Sequence, residues 1–394
     1  MSSETVIRLK AGKDQSVLRF HPWVFSGAID RTDGTPAEGD VVAVTDAQGK
    51  VLGRGHFTPA AITVRLLTFA DEPIDRAFLR NKLALAWGRR EMLGLNRPDN
   101  NIYRVVHGEG DNLPGLIIDR YDDVAVVQCH TVGFWRMREW LAELLPEVSA
   151  GAIRRVYNKS EGALPKRAPG EALDGWLLGE GRLVEGLENG LKFQVDVMEG
   201  QKTGFFVDQR ENRALVEQLA KGKSVLNVFC YTGGFSVSAL RGGATRVVGV
   251  DSSKKAMAQT DTHVALNFPD GAPHESLTLD AFDLLEGSKE RFDLIILDPP
   301  AFAKHLSALT QALRAYRRIN ARAMELLNPG GVLFTFSCSQ VVSRDDFRKN
   351  VFTAATLARR PARILYQLTQ PADHPVNLYH PEGEYLKGLV VEVE

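Results

Sequence analysis

The side chains best placed for chemistry sit at the ends of two apolar runs. Phe292 to Leu297 is followed by Asp298-Pro-Pro-Ala-Phe302, and the run from Val332 ends in Thr335-Phe-Ser-Cys-Ser339. Two prolines cannot continue a central strand, so the backbone must leave its sheet there, with Asp298 at the mouth of a cleft. A carboxylate with an aromatic ring four residues on suits a flat base: Asp298 would bond its polar edge while Phe302 packs nearby, with Pro299 and Pro300 shaping the same mouth. Cys338 brings a thiol to the equivalent edge. In the usual order of such a sheet the two strands are neighbours, so one cavity would hold both groups. A thiol is a poor nucleophile at its reference pKa of about 8.5, so cations or oriented backbone N–H groups have to favour the thiolate, and the sequence does not identify them. Each group also has an ordinary reading. Small residues at strand ends serve packing, as Cys230 and Cys129 are expected to do, and Asp before Pro is a common turn residue. The Ser-Cys-Ser setting and the end of a buried apolar run favour chemistry for Cys338 and Asp298.

A second constellation lies upstream. Asn227-Val-Phe-Cys-Tyr-Thr-Gly-Gly-Phe235 follows one apolar run, and its glycine pair at a strand-to-helix turn lets a ligand approach the backbone. Asp251 lies 18 residues beyond Gly233, close to the roughly 20-residue offset at which a carboxylate accepts from ribose hydroxyls. The G-x-G-x-x-G pattern is absent, which favours a site for one adenosine over a dinucleotide site. Asp280 is placed to accept from an adenine amino group. Glycines here also serve helix–sheet packing, which does not exclude a ligand.

Basic residues cluster twice. Lys304, Arg314, Arg317, Arg318 and Arg322 lie between Pro299 and Met324 with no acid among them, and Arg314, Arg318 and Arg322 share one helical stripe. Such faces are usually just solvated, but uncompensated charge beside a base-binding motif points to phosphate contact. Arg154-Arg155 with Lys159, Lys166 and Arg167 carries the same expectation.

The elements that must position these groups are legible from periodicity. Short strands separated by Gly, Pro and Asp turns up to about Thr68 predict a compact barrel. An amphipathic helix from Asp75 to about Leu95, with Arg76, Arg80, Lys82, Arg89 and Arg90 off its apolar face, opens an α+β region with strands near Tyr103–Val106, Leu116–Ile118, Val124–Cys129 and Ile153–Tyr157. From about Leu191 strands and helices alternate, which means βαβ units and a parallel sheet buried on both faces. The expected division is therefore 1–72, 73–190 and 191–394, and 394 residues allow each part its own core. Near-balanced charge, 48 Lys+Arg against 49 Asp+Glu, excludes a bulk polyelectrolyte binder but not local patches. Three scattered cysteines exclude a disulfide framework and zinc-finger spacing; the histidines show no metal-ligand spacing, so no metal is expected. The first residues carry no apolar signal segment and no run is long enough to cross a bilayer, so a cytoplasmic protein is expected.

The runs NVFCYTGGFSVSAL, VVGVD, FDLIILDPPAFAK and FTFSCS, with HPWVFSGA, KTGFFVDQR and HPEGEYLKG elsewhere, resemble the bacterial 23S rRNA cytosine-carbon-5 methyltransferases over nearly the whole chain. The resemblance implies an α/β class I methyltransferase domain, a doubly wound sheet, behind an N-terminal PUA-like β-barrel and a small α+β central domain. It implies S-adenosyl-L-methionine as cofactor and 23S ribosomal RNA or a large-subunit precursor as partner, no membrane, and leaves a homodimer open. Carried over by position, it puts Asn227, Phe229, Tyr231, Thr232, Gly233, Asp251, Ser252, Asp280, Ala281 and Asp298 at the methyl donor, with Gln209 and Arg210 in the segment that closes over it. Pro299, Pro300, Phe302, Lys304, Arg314 and Arg318 fall on the substrate side. Cys338 matches the nucleophile and Asp298 the acidic group at the base.

Such chemistry has Cys338 add to carbon-6 of the ring, so that carbon-5 becomes nucleophilic enough to take a methyl group. Many RNA cytosine methyltransferases carry a second cysteine after the fourth strand to assist release. This chain has Asp298-Pro-Pro-Ala there, which leaves the base for elimination unassigned. The same departure supports a rival: Asp-Pro-Pro before an aromatic resembles the motif of enzymes that methylate a base nitrogen, for which Cys338 is dispensable. A different class, an RNA-binding assembly factor without turnover, would bind cofactor but transfer no methyl group. A dinucleotide oxidoreductase would bind NAD.

Overall fold

The computed structural model describes residues 5–165 and 174–394, so Lys166 and Arg167 lie outside the described residues. Packing groups the chain into two compact units. The first spans Met1–Gly190, Val195–Val207 and Ala372–Gly383; the second spans Leu191–Gln194, Asp208–Pro371 and Glu384–Glu394.

Among the described residues, two sheets lie wholly within the first unit. One has six strands in the order Trp23–Phe25, Ile62–Thr68, Val51–Phe57, Val41–Thr45, Val6–Leu9, Ile29–Asp33, around a core of Ile7, Leu9, Val24, Val42, Val44, Val64 and Leu66. Its hydrogen-bonded ladder ends at Trp23–Phe25 and Ile29–Asp33, so the expected barrel is a curled sheet with two edges. The strand Ile29–Asp33 was not expected, because Ile29 is its only apolar residue and four of its five positions are exposed. The other sheet runs Gly175–Leu178, Arg155–Asn158, Val124–Cys129, Leu116–Tyr121, Ile102–His107. Against it pack the helices Arg76–Met92 and Arg138–Val148 through Leu79, Leu83, Trp87, Leu141 and Leu145.

Two basic features hold partners within the chain, although the Arg154 side chain is still exposed. Arg90, 1% exposed, forks onto Asp111 at 2.6 and 2.8 Å and donates to the Arg104 and Asp373 carbonyls, so its charge is paired within the core. Arg154 and Arg155 both donate to Asp123, and Lys159 Nζ donates to the Gly200 carbonyl at 2.6 Å. Each partner is distant in sequence, which is why the basic runs read as uncompensated. His21, His380 and Glu382 gather possible ligand atoms within 4.8 Å of one another. The two imidazoles belong to a ring cluster with Trp23, 4.3 Å from His380.

The second unit is a seven-stranded sheet. Its strands are β1 (Ser224–Val228), β2 (Arg246–Asp251), β3 (His274–Thr278), β4 (Phe292–Leu297), β5 (Leu327–Ser337), β6 (Ala362–Thr369) and β7 (Lys387–Val393), in the order β3-β2-β1-β4-β5-β7-β6. The first five are parallel, and β7 inserts antiparallel between β5 and β6. Helices α1 (Arg210–Leu219), α2 (Gly234–Arg241), α3 (Lys254–Asn267), α4 (Ala281–Gly287), α5 (Leu309–Leu326) and α6 (Arg344–Leu357) cover the sheet. The apolar run Leu294 to Leu297 is wholly buried, as a central parallel strand requires. On α5, Tyr316, Ile319, Ala323 and Met324 form the buried stripe. No helix among the described residues is long and apolar enough to cross a membrane.

Candidate active site

Strand order decides which loops meet. Ligands bind beyond the carboxyl ends of parallel strands, at the point where the order reverses, here between β1 and β4. The β1–α2 loop is held in left-handed backbone: Phe229, Tyr231 and Gly233 have φ of 61°, 48° and 75°. At Gly233 a Cβ would stand 2.4 Å from Thr260 Cγ2, so only glycine fits the turn. Asp251, the last residue of β2, accepts from Tyr231 N–H at 3.0 Å and Ser253 N–H at 2.9 Å and so ties the loop to its own strand end. Asn227 donates to Ser236 Oγ at 3.0 Å, but its carbonyl oxygen and the Thr232 hydroxyl are buried without a partner. Unsatisfied groups of this kind invite a polar ligand. Ser252 is exposed beside them. Asp280 caps α4 through Phe282 N–H and Asp283 N–H on one oxygen, leaving the other for a ligand; Ala281 is buried behind it.

The second cluster forms at β4 and β5. Leu297 pairs with Thr335, so Asp298 and Cys338 emerge from neighbouring strands, and Cys338 Sγ lies 3.9 Å from the carbonyl oxygen of Pro299. Gln209 Nε2 donates to Asp298 Oδ1 at 3.0 Å and is itself held by Asn212 at 2.6 Å. Burial pushes the Asp298 carboxyl up to about 7; the Asp208 charge adds to this, while the Gln209 bond and the Arg213 cation oppose it. Burial likewise pushes the Cys338 thiol up to about 12, with Asp298 and Asp208 contributing and Lys387 opposing. The thiol is therefore protonated at neutral pH, and protonating Asp298 removes one of the charges that keep it so.

The remaining expected residues divide. Arg210 is buried at the start of α1, and its Nε donates to Glu211 at 3.2 Å. Phe302 packs against Tyr316 at 4.7 Å and Phe282 at 6.0 Å, anchoring the Asp-Pro-Pro loop on the core. Pro299 is buried; Pro300, Lys304 and Arg314 are exposed. Arg318, expected as uncompensated, pairs with Glu286 of α4 and stacks over Phe282 at 5.5 Å, and Arg322 pairs with Glu325. Of the run Lys202 to Arg210, Thr203 belongs to the first unit, where it donates to Asp119 at 2.6 Å. Asp208 belongs to the second, where it accepts from Tyr385 OH at 2.5 Å.

Three residues at this cluster were not singled out from the sequence. Asp208 and Tyr385 form the pair just described. Lys387, 5% exposed, donates from Nζ to the Ser339 carbonyl at 2.6 Å. All three lie in quoted runs, KTGFFVDQR and HPEGEYLKG, but only the antiparallel seating of β7 beside β5 brings Lys387 to the thiol.

This sheet order, with a glycine turn after β1 and a carboxylate ending β2, defines a class I methyltransferase fold. Residues 152–373 match the S-adenosylmethionine-dependent methyltransferase family, and residues 7–69 match a PUA-like domain. The chain is 42% identical to ribosomal RNA large subunit methyltransferase I of Tolumonas auensis, over 98% of its own length and 99% of that protein. It is 40% identical to the Escherichia coli protein of that name, over 98% of each. A candidate S-adenosylmethionine-dependent methyltransferase from Streptococcus mutans has the same fold, with 22% identity, a TM-score of 0.83, and coverage of 98% of this chain and 100% of that one. A second solved methyltransferase candidate, holding SAH, superposes with a TM-score of 0.84 at 22% identity, over 98% and 100%. The chain belongs to the S-adenosylmethionine-dependent methyltransferase family, as a full-length relative of the ribosomal RNA large subunit methyltransferase I proteins. It is an enzyme, and S-adenosylmethionine is its cofactor. The unpartnered Asn227 and Thr232 oxygens, the Gly233 turn and the Asp251 carboxylate fit that group.

Proposed function

We propose that this enzyme methylates carbon-5 of a cytosine in 23S ribosomal RNA through a covalent Cys338 adduct, in the cytoplasm where ribosomes are made. The observation that carries the reading is the meeting of thiol and carboxyl at the ends of paired strands, with Cys338 Sγ on the carbonyl of the residue after Asp298. The names of the full-length relatives supply the substrate class.

Bound at the β1 and β2 ends, S-adenosylmethionine supplies an electrophilic methyl group. Asn227, Tyr231, Thr232 and Gly233 line its side of the cleft, Asp251 accepts from ribose hydroxyls, and Asp280 with Ala281 flanks the adenine. Asp298, part-protonated near neutral pH, donates to N3 of the ring as Cys338 Sγ adds to carbon-6. The electron pair of the former 5,6 double bond is then available at carbon-5. Once carbon-5 carries its methyl group, loss of its proton to water restores the double bond and expels the sulfur. Phe302 holds the Asp-Pro-Pro turn in place, and exposed Lys304 and Arg314 are left for phosphates.

Asp251→Asn is expected to weaken S-adenosylmethionine binding by roughly 10- to 100-fold, about 1.4–2.7 kcal/mol, because charge-assisted bonds to two hydroxyls become neutral ones. Calorimetric titration measures it, and unchanged affinity would place the ribose elsewhere.

The thiol's position at about 12 favours one rival, transfer to a base nitrogen without an adduct. Methyl transfer from labelled cofactor to protein-free 23S rRNA, followed by mass analysis of the nucleosides, separates the two. Label in 5-methylcytidine is expected; label on a nitrogen would replace this reading.

A further inference from the structure

We propose that Lys387 activates Cys338, its amine taking the thiol proton as sulfur adds to the ring and its ammonium remaining beside the sulfur until the bond breaks. This rests on the reading of Cys338 as nucleophile.

The geometry comes from β7. In the antiparallel register Lys387 lies opposite Ser337, the residue before the thiol, and its Nζ reaches the carbonyl of Ser339, the residue after it. The side chain therefore spans the backbone on both sides of Cys338. A lysine this buried is costly unless its charge is used, since one neutral carbonyl at 2.6 Å compensates little of the lost hydration. The charged groups facing it are Cys338 at the end of β5, Arg344 at the start of α6, and Glu384 before β7. Glu384 is itself paired with Arg344. Burial and Arg344 hold the ammonium down, to about 8, so an amine is available near neutral pH. The charges facing the thiol are Asp298 after β4 and Asp208 before α1, which oppose ionisation, and Lys387, which favours it.

The proton inventory closes. The S–H bond breaks and its proton goes to the Lys387 amine; the S–C6 bond forms; the displaced ring electron pair is accepted at N3, which takes the Asp298 proton. On elimination the C–S electron pair returns to sulfur, the carbon-5 proton leaves to water, and N3 returns its proton to Asp298. The ammonium then reprotonates the sulfur. Lys387 acts through Cys338 and is a positioning and activating residue, with no contact to the ring required.

The test is the rate of iodoacetamide alkylation of Cys338 against pH, read by peptide mass spectrometry. Cys129 and Cys230 are buried and serve as internal controls. Loss of one proton from the coupled pair leaves an amine–thiol form in fixed equilibrium with its ammonium–thiolate tautomer, the species that reacts. The wild-type rate is therefore expected to rise and level off just above about pH 8. In Lys387→Met, with S-adenosylmethionine binding as the control for folding, the rate at about pH 8 should fall roughly tenfold or more. It should then keep rising about tenfold per pH unit without a plateau, as for an isolated buried thiol. Lys387→Arg, which keeps a cation but cannot accept the proton, should raise the rate at about pH 8 above that of Lys387→Met yet show no plateau near that pH. A wild-type profile with no plateau below about pH 10 overturns the proposal even if Lys387→Met does not fold. So does a folded Lys387→Met with the wild-type profile. Full methyl transfer by Cys338→Ala would instead remove the nucleophile reading, so the two failures are distinguishable.

Discussion

Replacing Cys338 with alanine is expected to lower methyl transfer by at least about 10⁴-fold, roughly 5.4 kcal/mol in the barrier, while S-adenosylmethionine binding stays within about threefold. The size follows from what the thiol does. Without addition at carbon-6, carbon-5 of cytosine has too little electron density to take a methyl group, and no neighbouring side chain substitutes for sulfur. The cofactor groups lie at the ends of β1 and β2, whereas Cys338 follows β5, so binding and chemistry should separate cleanly in this variant. Single-turnover transfer and calorimetry on the same preparation measure the two. Cys338→Ser should be nearly as inactive, because a hydroxyl ionises far less readily than a thiol.

Asp298→Ala is expected to cost roughly 10²- to 10³-fold in kcat, the usual range for removing one donor aimed at developing charge. Its pH signature is more specific than its size. The active form is the protonated carboxyl, so the wild-type rate should fall on the alkaline side as Asp298 ionises through about 7. Lys387 must be an amine, so the rate should fall on the acidic side as Lys387 protonates below about 8. The two limbs make a narrow bell centred between them. Asp298→Asn removes the titrating group, and the alkaline fall should vanish with it. A kcat profile that keeps its alkaline limb in Asp298→Asn would assign that limb to another group.

The residues that punctuate strands were readable because the punctuation is local. Prolines after Leu297 force the chain out of the sheet, a left-handed glycine opens α2, and a carboxylate ends β2; each is a short-range constraint written in adjacent residues. What was not readable depends on pairs far apart in the chain. Lys387 meets the thiol only because β7 runs antiparallel beside β5, a strand insertion that periodicity in the parallel core does not announce. Arg318 reads as free on its helix until Glu286 is seen opposite, and Arg90 reads as solvated until Asp111 is found beneath it. Asp208 sits beside Gln209 and Arg210 in one run, but its effect on Asp298 and Cys338 arises from folding. Charge runs read as uncompensated because sequence shows cations without the nonlocal acids that pair with them.

Trapping the adduct tests the covalent mechanism most directly. The enzyme would be incubated with S-adenosylmethionine and 23S rRNA carrying 5-fluorocytidine, denatured, and digested for peptide mass spectrometry. Fluorine cannot leave carbon-5 as a proton does, so elimination stalls after methyl transfer. The expected result is a denaturation-stable, cofactor-dependent protein–RNA species whose modified peptide carries a methylated fluorocytidine on Cys338. Methylation of ordinary rRNA with no such species, or attachment at Cys129 or Cys230, would contradict a Cys338 adduct.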